Sequence, residues 1–332
     1  PHCAMRSQNP TLTFTKPMRH LIGTKITNMF DILVAGEINP DLILSGNITP
    51  EFGQAEKLVD SAALTVGSSS AIFACGAARL GLKVAYIGVC GDDVFGHFML
   101  DEMSKRNVDI SNVIVRSNDQ TGLSVILNQG ADRAILTHLG LIAALQASDI
   151  SDALLSNARH LHIASYFLQT TLQPDLPKLF SRAHSLGLTT SLDTNWDPSN
   201  EWRGFDELLS QVDIFLPNEN EAKAIAHKED VDSACKHLAS KSKLVAIKRG
   251  ADGALAQMQD TFISVPSIPV QVVDTVGAGD TFDAGFLFGY LNKWSIEKSL
   301  QLAAVCGALS TQFAGGTNGQ PTLDEAKKYV SG

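Results

Sequence analysis

Short apolar runs alternate with amphipathic stretches along most of the chain. The first apolar run is Ile32–Ala35, which Gly36 closes. Runs of the same kind lie at 84–88, 160–164, 188–193, 212–216 and 244–248. The segments that separate them have helical periodicity, among them 95–106, 175–186 and 219–227. Strands that alternate with helices at this spacing predict βαβ units and an α/β fold with a mostly parallel sheet.

Two segments fit this alternation less well. Residues 41–66 and 109–138 contain strand-like runs, such as 123–127, without the regular helical spacing. We assign them to a small β-sheet appended to the main fold as a lid, and expect residues 30–332 to form one domain. Residues 1–29 lack a basic start followed by an apolar stretch, so they do not resemble a signal peptide. We expect them to be a poorly ordered N-terminal extension.

Composition and charge exclude several classes of protein. The 332 residues are 44% hydrophobic and 18% charged, which predicts a large core and excludes general disorder. A net charge of −9 without a basic block argues against nucleic acid or a membrane as a partner. No stretch is apolar for long enough to predict a membrane helix. Five widely spaced cysteines predict neither a disulfide framework nor a zinc ribbon, so we expect a cytoplasmic location.

The stretch 272–286 carries the strongest signal for chemistry. Its pattern is typical of a strand, a glycine loop with Gly277 and Gly279, and a helix that begins near Asp280. Backbone N–H groups at a helix N-terminus bind anions, and the helix dipole adds to this. A carboxylate there would repel a simple anion, but it is suited to take a proton during phosphoryl transfer. The alternative that Asp280 only caps the helix stays open at this point.

Several other catalytic motifs are absent from the sequence. Phe282 stands where a Rossmann G-x-G-x-x-G would need its third glycine. The chain has no Gly-Lys dipeptide and therefore no Walker A motif, and it has neither H-E-x-x-H nor G-x-S-x-G. These absences count against dehydrogenases, P-loop enzymes, zinc proteases and α/β-hydrolases.

The glycine loop and several other segments resemble one known family. The loop reads Asp274-Thr275-Val276-Gly277-Ala278-Gly279-Asp280 and resembles the D-T-x-G-A-G-D signature of the ribokinase-like (PfkB) carbohydrate kinases. Further matches follow in family order at 36–41, 67–81, 88–96, 217–221 and 248–254. The resemblance implies a ribokinase-like fold, in which helices sandwich a central sheet and a small β-sheet forms a lid. It also implies an ATP- and Mg²⁺-dependent transfer of the γ-phosphoryl group to a hydroxyl of a small sugar or sugar-like acceptor.

The resemblance also implies a role for each matched residue. Asp280 would be the general base. The anion hole for the transferred phosphoryl group would consist of the backbone N–H groups of Gly277, Ala278 and Gly279. The substrate site would consist of Asn39 and Asp41, which bind sugar hydroxyls, with Gly67, Ser68 and Ile72.

The nucleotide side of the site follows from the same resemblance. The nucleotide pocket would consist of Asn218, Lys248, Gly250 and Gly253, with Gly315 and Gly316 near the base. Glu221 would act on Mg²⁺ through metal-bound water, since Mg²⁺ in proteins usually keeps several waters. Main-chain groups around Asp274 and Val276 would form the monovalent-cation site, for K⁺, of many family members.

Departures from the family pattern bear on the substrate. Ser68 stands where the second glycine of the first signature belongs, and Ile72 stands where that signature has Asn. An isoleucine cannot hydrogen-bond a sugar hydroxyl, and leaving that hydroxyl unpaired costs about 1–3 kcal/mol. Either the substrate is less polar at that edge, or the serines at 68–70 supply the contact. Asp197 stands where sugar-acid kinases of the family have Arg, which argues against 2-keto-3-deoxygluconate as the acceptor.

Two alternatives to a sugar kinase remain open. A nucleoside kinase of the same superfamily would use Ile72 and nearby aromatic side chains as an apolar platform for a base. A catalytically silent, ligand-sensing member would keep the fold without the chemistry. We favour structural roles for His162, as a core residue, and for Arg133, as a solvated hairpin charge. A homodimer through the exposed edges of the lid is compatible with this fold.

Overall fold

Strands and helices alternate as the sequence pattern predicts. The computed structural model describes residues 30–129 and 132–330, so the expected extension 1–29 lies outside the described residues. The strands are β1 (Ile32–Ala35), β2 (Pro40–Ser45), β3 (Ser61–Val66), β4 (Val84–Ile87), β5 (Val89–Gly91), β6 (Val108–Asp109), β7 (Ile114–Arg116), β8 (Leu123–Gln129), β9 (Asp132–His138), β10 (His160–Ile163), β11 (Thr189–Leu192), β12 (Ile214–Phe215), β13 (Leu244–Lys248), β14 (Ala254–Met258) and β15 (Thr261–Val265). The helices are α1 (Ser69–Arg79), α2 (Val94–Lys105), α3 (Asp152–Ser156), α4 (Leu176–Ser185), α5 (Phe205–Leu209), α6 (Glu219–Ala226), α7 (Val231–Ala239), α8 (Ala278–Leu291), α9 (Ile296–Ser310) and α10 (Leu323–Lys327).

The main sheet is mostly parallel. Within the described residues it has the strand order β15-β14-β13-β12-β11-β10-β1-β4-β6. Strands from β13 to β6 are parallel to their neighbours, and β14 and β15 add an antiparallel edge. β1 lies between β4 and β10, so the chain winds away from β1 in both directions. In α/β sheets such a switch point leaves a crevice at the carboxyl ends of the strands, where ligands bind.

Helices cover both faces of this sheet, so its strands are buried on both sides. Ile32 and Val34 of β1 belong to the core cluster that includes side chains of α1, α8 and α9. Leu33 and Ala35 point the other way, into the cluster that includes side chains of α4, α6 and α7. All four side chains are fully buried. This explains why the strand has no alternation of polar and apolar residues.

A second, four-stranded sheet with the order β3-β2-β8-β9 forms the lid. Its β2 pairs with β8 in parallel, and the two outer pairs are antiparallel. Ile43 of β2 and Ile126 of β8 are register partners, and both pack against Val276 of the glycine loop. The lid therefore contacts the loop that carries the strongest chemical signal.

The lid is smaller than the segment 109–138 that we predicted for it. β6 joins the edge of the main sheet beside β4, and β7 pairs with β5 in a separate two-stranded sheet. Only β8 and β9 of the predicted segment belong to the lid. The apolar pattern of a short run such as 113–115 identifies a strand but does not specify its partner.

β10 places two histidines in the middle of the sheet. His160 contacts the hydroxyls of Thr189 and Ser191, each at 2.7 Å. His162 contacts Ser191 Oγ at 2.7 Å and stacks on Phe73 with 3.8 Å between ring centroids. Burial lowers the pKa of His160 to about 3 and lowers that of His162 well below its ordinary value. Both are neutral core residues, as we expected for His162.

The structure also bears on membrane-spanning helices and on the cysteines. Among the described residues, no helix is both long and apolar enough to cross a bilayer. The cysteines in this part of the chain are free and buried, namely Cys75, Cys90, Cys235 and Cys306. Burial raises the pKa of the Cys75 thiol to about 12, which keeps it protonated and unreactive.

Glycine contacts between α8 and α9 yield a first prediction. A Cβ atom on Gly289 would lie 2.8 Å from Ser299 Cα, closer than packed atoms allow. We expect Gly289→Ala to lower the free energy of unfolding by about 1–3 kcal/mol, measured by urea denaturation. The double variant Gly289→Ala with Ser299→Gly should recover part of this loss, because it removes the side chain that the new methyl group meets. Gly289→Ala with unchanged stability would contradict the packing described for these helices.

Candidate active site

Polar side chains collect at the carboxyl ends of five adjacent parallel strands. They are Glu37 and Asn39 after β1, Ser165 after β10, Asp193 and Asn195 after β11, Asn218 after β12, and Lys248 at the end of β13. The first residues of α8 face the same space. This is the crevice that the switch point beside β1 creates.

A cavity of about 980 Å³ lies over these strand ends. Ser124, Ile126 and Thr137 of the lid line one side, and Ala304 and Ala308 of α9 line another. The volume lies at the upper end of the range for small-molecule sites, which suits a nucleotide together with a small second substrate.

The glycine loop leads directly into α8, but the strand predicted before the loop is absent, since no strand lies between β15 and α8 in this described part of the chain. Gly277 is the N-cap residue and has a φ of 71°, a left-handed conformation that favours glycine. A Cβ atom there would also lie 2.7 Å from the carbonyl oxygen of Gly316. Asp280 lies in the first turn of α8, is 7% exposed and lines the cavity. Because Gly277 is the cap, the alternative that Asp280 only caps the helix is wrong.

Burial and neighbouring charge act on the Asp280 carboxyl. Burial raises its pKa well above the ordinary value, and the Asp193 carboxylate raises it further. The Lys248 ammonium and a hydrogen bond from the Ser69 hydroxyl partly offset this. A carboxyl group with a raised pKa is a better proton acceptor once it is ionised.

Lys248 lies beneath this carboxyl in a buried charge cluster. Its Nζ atom is 2.9 Å from Asp193 Oδ2 and 3.0 Å from Asp283 Oδ2. Burial alone would lower the pKa of Lys248, but the two carboxylates hold it above its ordinary value. The sequence predicted a nucleotide contact for Lys248. It does line the cavity, but its ammonium group is engaged by the two carboxylates.

Asn218 and Glu221 form a capping box at the start of α6. The Asn218 side chain accepts from Glu221 N at 2.9 Å, and Glu221 Oε2 accepts from Asn218 N at 2.9 Å. Both residues line the cavity, and Glu221 is 4% exposed. Burial, followed by the Asp193 charge, raises the pKa of Glu221 to about 7. The capping box thus explains why Asn218 and Glu221 are three residues apart. It leaves the buried Glu221 carboxylate facing the cavity.

Polar groups on the inner face of the lid lie beside Asn39. Its Nδ2 atom is 3.4 Å from Ser124 Oγ, which is 3.1 Å from Thr137 Oγ1. Burial raises the pKa of Asp41 to about 7, and the charge of Arg133 opposes this shift. All five side chains line the cavity, where they offer hydrogen-bond donors and acceptors of the kind that a polyol needs.

Two residues of the predicted substrate site shape the cavity through packing. A Cβ atom on Gly67 would meet the Asp41 carboxyl group and would lie 2.8 Å from Asn39 O, so glycine makes room for both. Ile72 is 3% exposed and packs against the glycine loop, where a Cβ atom on Gly277 would lie 2.8 Å from Ile72 Cγ2. Ile72 therefore supports the loop, besides lining the cavity.

The glycines predicted for the nucleotide side separate into two groups. Gly250 and Gly253 line the cavity beside β13. Gly315 and Gly316 are not among the cavity-lining residues. Gly315 N donates to Asp274 Oδ2 at 2.9 Å, and Val276 N donates to Asp274 Oδ1 at 3.0 Å. The Asp274 carboxylate thus holds two loops together.

Asp197 does not face the cavity. Its carboxylate accepts hydrogen bonds from the backbone N–H groups of Ser199, Glu201 and Trp202 at 2.7–2.9 Å. These bonds lower its pKa although burial opposes them. Because this carboxylate organises a turn, it gives no reason to exclude a substrate that carries a carboxylate. The position of Asp197 therefore does not count against 2-keto-3-deoxygluconate as the acceptor.

The structure adds functional candidates that sequence reasoning missed. Glu37 is 2% exposed and accepts hydrogen bonds from Ser70 Oγ at 2.6 Å and Ser165 Oγ at 2.8 Å. Ser68, predicted to bind substrate, lines the cavity and donates to Glu37 O at 2.7 Å. Glu37 lies inside the matched segment 36–41, and the rule that ligands bind at strand ends could have identified it.

Comparison with known proteins agrees with this geometry. The sequence model of the pfkB family carbohydrate kinases matches residues 29–323. The chain belongs to this family. It is 29% identical to an ATP-dependent ribose-1-phosphate kinase of Halopiger xanaduensis, over 91% of this chain and 99% of that protein. It is 28% identical to a 5-dehydro-2-deoxygluconokinase of Geobacillus thermodenitrificans, over 80% of this chain and 84% of that protein.

A solved structure shows the same fold. An E. coli protein named as a ribokinase II, in complex with ATP and Mg²⁺, superposes with a TM-score of 0.79 at 24% identity. The match covers 90% of this chain and 98% of that chain. The pfkB membership and the ribokinase-like fold that the motif implied are confirmed, and this pfkB family member is a carbohydrate kinase.

The buried cation of this pfkB kinase yields a second prediction. Lys248→Met leaves Asp193 and Asp283 buried without their cation, and breaking a buried ion pair costs about 3–5 kcal/mol. We expect urea denaturation to show a loss of this size. Arg249→Met is the matched control, because Arg249 pairs with Glu219 in a more exposed place, where such pairs contribute at most about 1 kcal/mol. Equal stability of the two variants would contradict the structural role of Lys248.

Proposed function

We propose that this carbohydrate kinase transfers the γ-phosphoryl group of ATP to a hydroxyl of a small sugar or sugar derivative, with Asp280 as the general base. The observation that carries the proposal is the position of Asp280. Its buried carboxyl lies in the first turn of α8, directly after the glycine loop and inside the 980 Å³ cavity. Ionised Asp280 takes the proton of the acceptor hydroxyl as that oxygen attacks the γ-phosphorus atom.

The glycine loop and the start of α8 stabilise the charge that develops. Backbone N–H groups of Gly277, Ala278 and Gly279 form the anion hole for the phosphoryl group during its transfer. The positive end of the α8 dipole acts in the same direction. Ile43 and Ile126 of the lid pack against Val276, so the lid shields the reacting groups from water. Exclusion of water prevents hydrolysis of ATP in place of transfer.

The residues on the nucleotide side fit a magnesium ion. Glu221 offers a hard oxygen ligand of the kind that Mg²⁺ prefers. The carboxyl groups near it are more numerous than the nearby cations, of which Lys248 is one, so the local charge favours a metal ion. In the described part of the chain, no group of three or more such side chains forms a protein cage for a metal. This arrangement suits Mg²⁺ held by ATP phosphates and water, with Glu221 acting through that water. When bound, Mg²⁺ supplies charge neutralisation on the phosphates.

The acceptor is proposed as a monosaccharide or an anionic derivative of one. Asn39, Asp41, Ser124 and Thr137 suit sugar hydroxyls, and Arg133 adds a cation to the same cavity. The two relatives described above are named for a sugar phosphate and for a deoxy keto sugar acid. A panel that separates these classes contains ribose, fructose, ribose 1-phosphate, fructose 6-phosphate, 5-dehydro-2-deoxygluconate and adenosine.

The nucleoside kinase alternative has less support. Ile72 packs beneath the glycine loop, and Phe167 packs with Tyr166 and Trp202 at centroid distances of 5.1 and 5.4 Å. Trp196 is 55% exposed and lines the cavity, so an acceptor base could stack on it. Turnover of adenosine alone in the panel would favour a nucleoside kinase. Binding of Mg·ATP without turnover of any acceptor would favour a silent, ligand-sensing member. The K⁺ site near Asp274 and the homodimer stay predictions.

Asp280→Asn gives the third prediction. The amide keeps the shape of the side chain but cannot accept the proton, so we expect kcat to fall by about 10²–10⁴-fold. Binding of Mg·ATP, measured by calorimetry, should change little, since Asp280 acts on the acceptor. Asp101→Asn on α2 makes the same charge change at an exposed residue that does not line the cavity, and should leave kcat unchanged. Wild-type turnover by Asp280→Asn would refute the assignment of the base.

Asp41 gives the fourth prediction. Its pKa of about 7 means that it loses its charge as the pH falls through 7, and protonation removes an acceptor for sugar hydroxyls. We expect KM for the sugar acceptor to rise roughly tenfold from pH 8 to pH 6, because about nine tenths of the carboxyl is protonated one unit below its pKa. Asp41→Asn should bind the acceptor more weakly and lose this pH dependence. A wild-type KM that is constant over this range would argue against Asp41 as an acceptor ligand.

A further inference from the structure

Two non-glycine residues with left-handed backbones meet at the edge of the cavity. Ser165 follows β10 and Asn195 follows β11, with φ angles of 53° and 55°. Such conformations cost free energy and persist where surrounding contacts hold them. Here the contact is direct, because Asn195 Nδ2 donates to Ser165 Oγ at 3.0 Å. The same Nδ2 also donates to Ser69 Oγ, at the start of α1, at 2.5 Å.

The directions of these hydrogen bonds are fixed by what each group can donate. Ser165 accepts from Asn195, and its own proton goes to Glu37 Oε1 at 2.8 Å. Ser69 also accepts from Asn195, so its own proton is available for the Asp280 carboxyl, which lines the same cavity and whose pKa the Ser69 hydroxyl lowers. With the amide reversed, both hydroxyl protons would go to Asn195 Oδ1 and both carboxylates would lose a donor.

We propose that Asn195 and Ser69 are positioning residues for the phosphoryl-transfer reaction: the Asn195 amide orients the Ser69 hydroxyl so that it donates to the ionised Asp280 carboxylate. This inference rests on the proposed function, because it assigns the base role to Asp280. Ser165 extends the network to Glu37, so one amide orients a donor toward each of two buried carboxylates. Neither Asn195 nor Ser69 needs to touch the substrate for this role.

The charged groups that face Asp280 come from several elements. Asp193 after β11 and Glu37 after β1 disfavour its ionised form, and so does Asp283 one turn along α8. Lys248 at the end of β13 is the cation that favours it. Lys248 also pairs with Asp193 and Asp283, so its charge is shared. The Ser69 hydroxyl therefore adds to the stabilisation of the ionised form of Asp280.

Removal of this donor has a predictable sign. A hydrogen bond to the ionised form of an acid lowers its pKa, so loss of the bond raises the pKa of Asp280. The acid limb of the pH profile of kcat, measured at saturating acceptor so that the effect of Asp41 on KM does not enter, reports the base and moves to higher pH. Activity lost near neutral pH should then return as the pH rises above the new pKa of Asp280. A merely structural defect would instead lower the rate by the same factor at every pH.

The experiment measures ADP formation with Mg·ATP and the acceptor of the panel that turns over, from pH 5 to pH 10. We expect Ser69→Ala to shift the acid limb upward by about one pH unit, since hydrogen bonds to charged groups are worth about this much. Asn195→Asp keeps the size of the side chain and tolerates the left-handed backbone. It accepts the hydroxyl protons and adds a negative charge, so its upward shift should exceed that of Ser69→Ala.

Two controls separate positioning from packing. Ser69→Thr keeps the hydroxyl and should show the wild-type acid limb. Ser191→Ala removes a buried hydroxyl of β11 that bonds His160 and His162, and should leave the limb in place even if stability falls. Thermal unfolding of each variant shows that it is folded at the assay temperature. If Ser69→Ala does not fold, Asn195→Gly carries the test, because it removes the amide without adding charge and suits the left-handed backbone.

An acid limb that stays in place in both Ser69→Ala and Asn195→Gly, with the rate lowered equally at all pH values, overturns the proposal. That result differs from failure of the proposed function. The function fails if the wild-type protein forms no acceptor-dependent ADP, or if Asp280→Asn turns over like the wild type. The positioning proposal fails when those two proteins behave as expected and the limb does not move.

Discussion

The site depends on one constraint, the burial of several carboxyl groups around a single lysine. Lys248 Nζ is 2.9–3.0 Å from Asp193 and Asp283, and Asp280 and Glu221 both lie within the influence of this cluster. Charge that is removed from water must be paired or neutralised, or else the pKa must shift. Burial, together with carboxylate charge that the one cation does not balance, raises the pKa values of Asp280 and Glu221.

The topology of the main sheet makes this concentration of charge possible. Parallel strands end at the same edge, so Asp193 and Lys248, 55 residues apart in the chain, come within hydrogen-bond distance. The close approach of α8 to this edge adds Asp280, and the glycine loop before it allows that approach. Ile43 and Ile126 of the lid pack against Val276 of the glycine loop. Several elements thus hold the carboxyl groups, with Asp280 and Asp283 both on α8, and the geometry of the candidate site depends on the whole fold.

The parts of the fold and of the candidate site that depend on local sequence pattern could be predicted from the sequence. The apolar run Ile32–Ala35 and the glycine loop are local signals, and both lie where we expected. Contacts between distant segments could not be predicted. The pairing of Lys248 with two carboxylates, the packing of Ile72 under the glycine loop and the turn organised by Asp197 all depend on residues far away or on side-chain direction. Motif comparison assigned Lys248 and Ile72 to ligands and placed Asp197 at a substrate-binding position, because it carries no information on their partners.

The central claim is that Asp280 is a buried base with a raised pKa, and its ionisation can be observed directly. Protein labelled with ¹³C at the aspartate carboxyl carbons, compared with Asp280→Asn for assignment, gives the titration of this one group by NMR. The account predicts that the Asp280 signal titrates well above the ordinary range for aspartate, for which the model-peptide pKa is about 3.9. A signal that titrates at or below that value would contradict it.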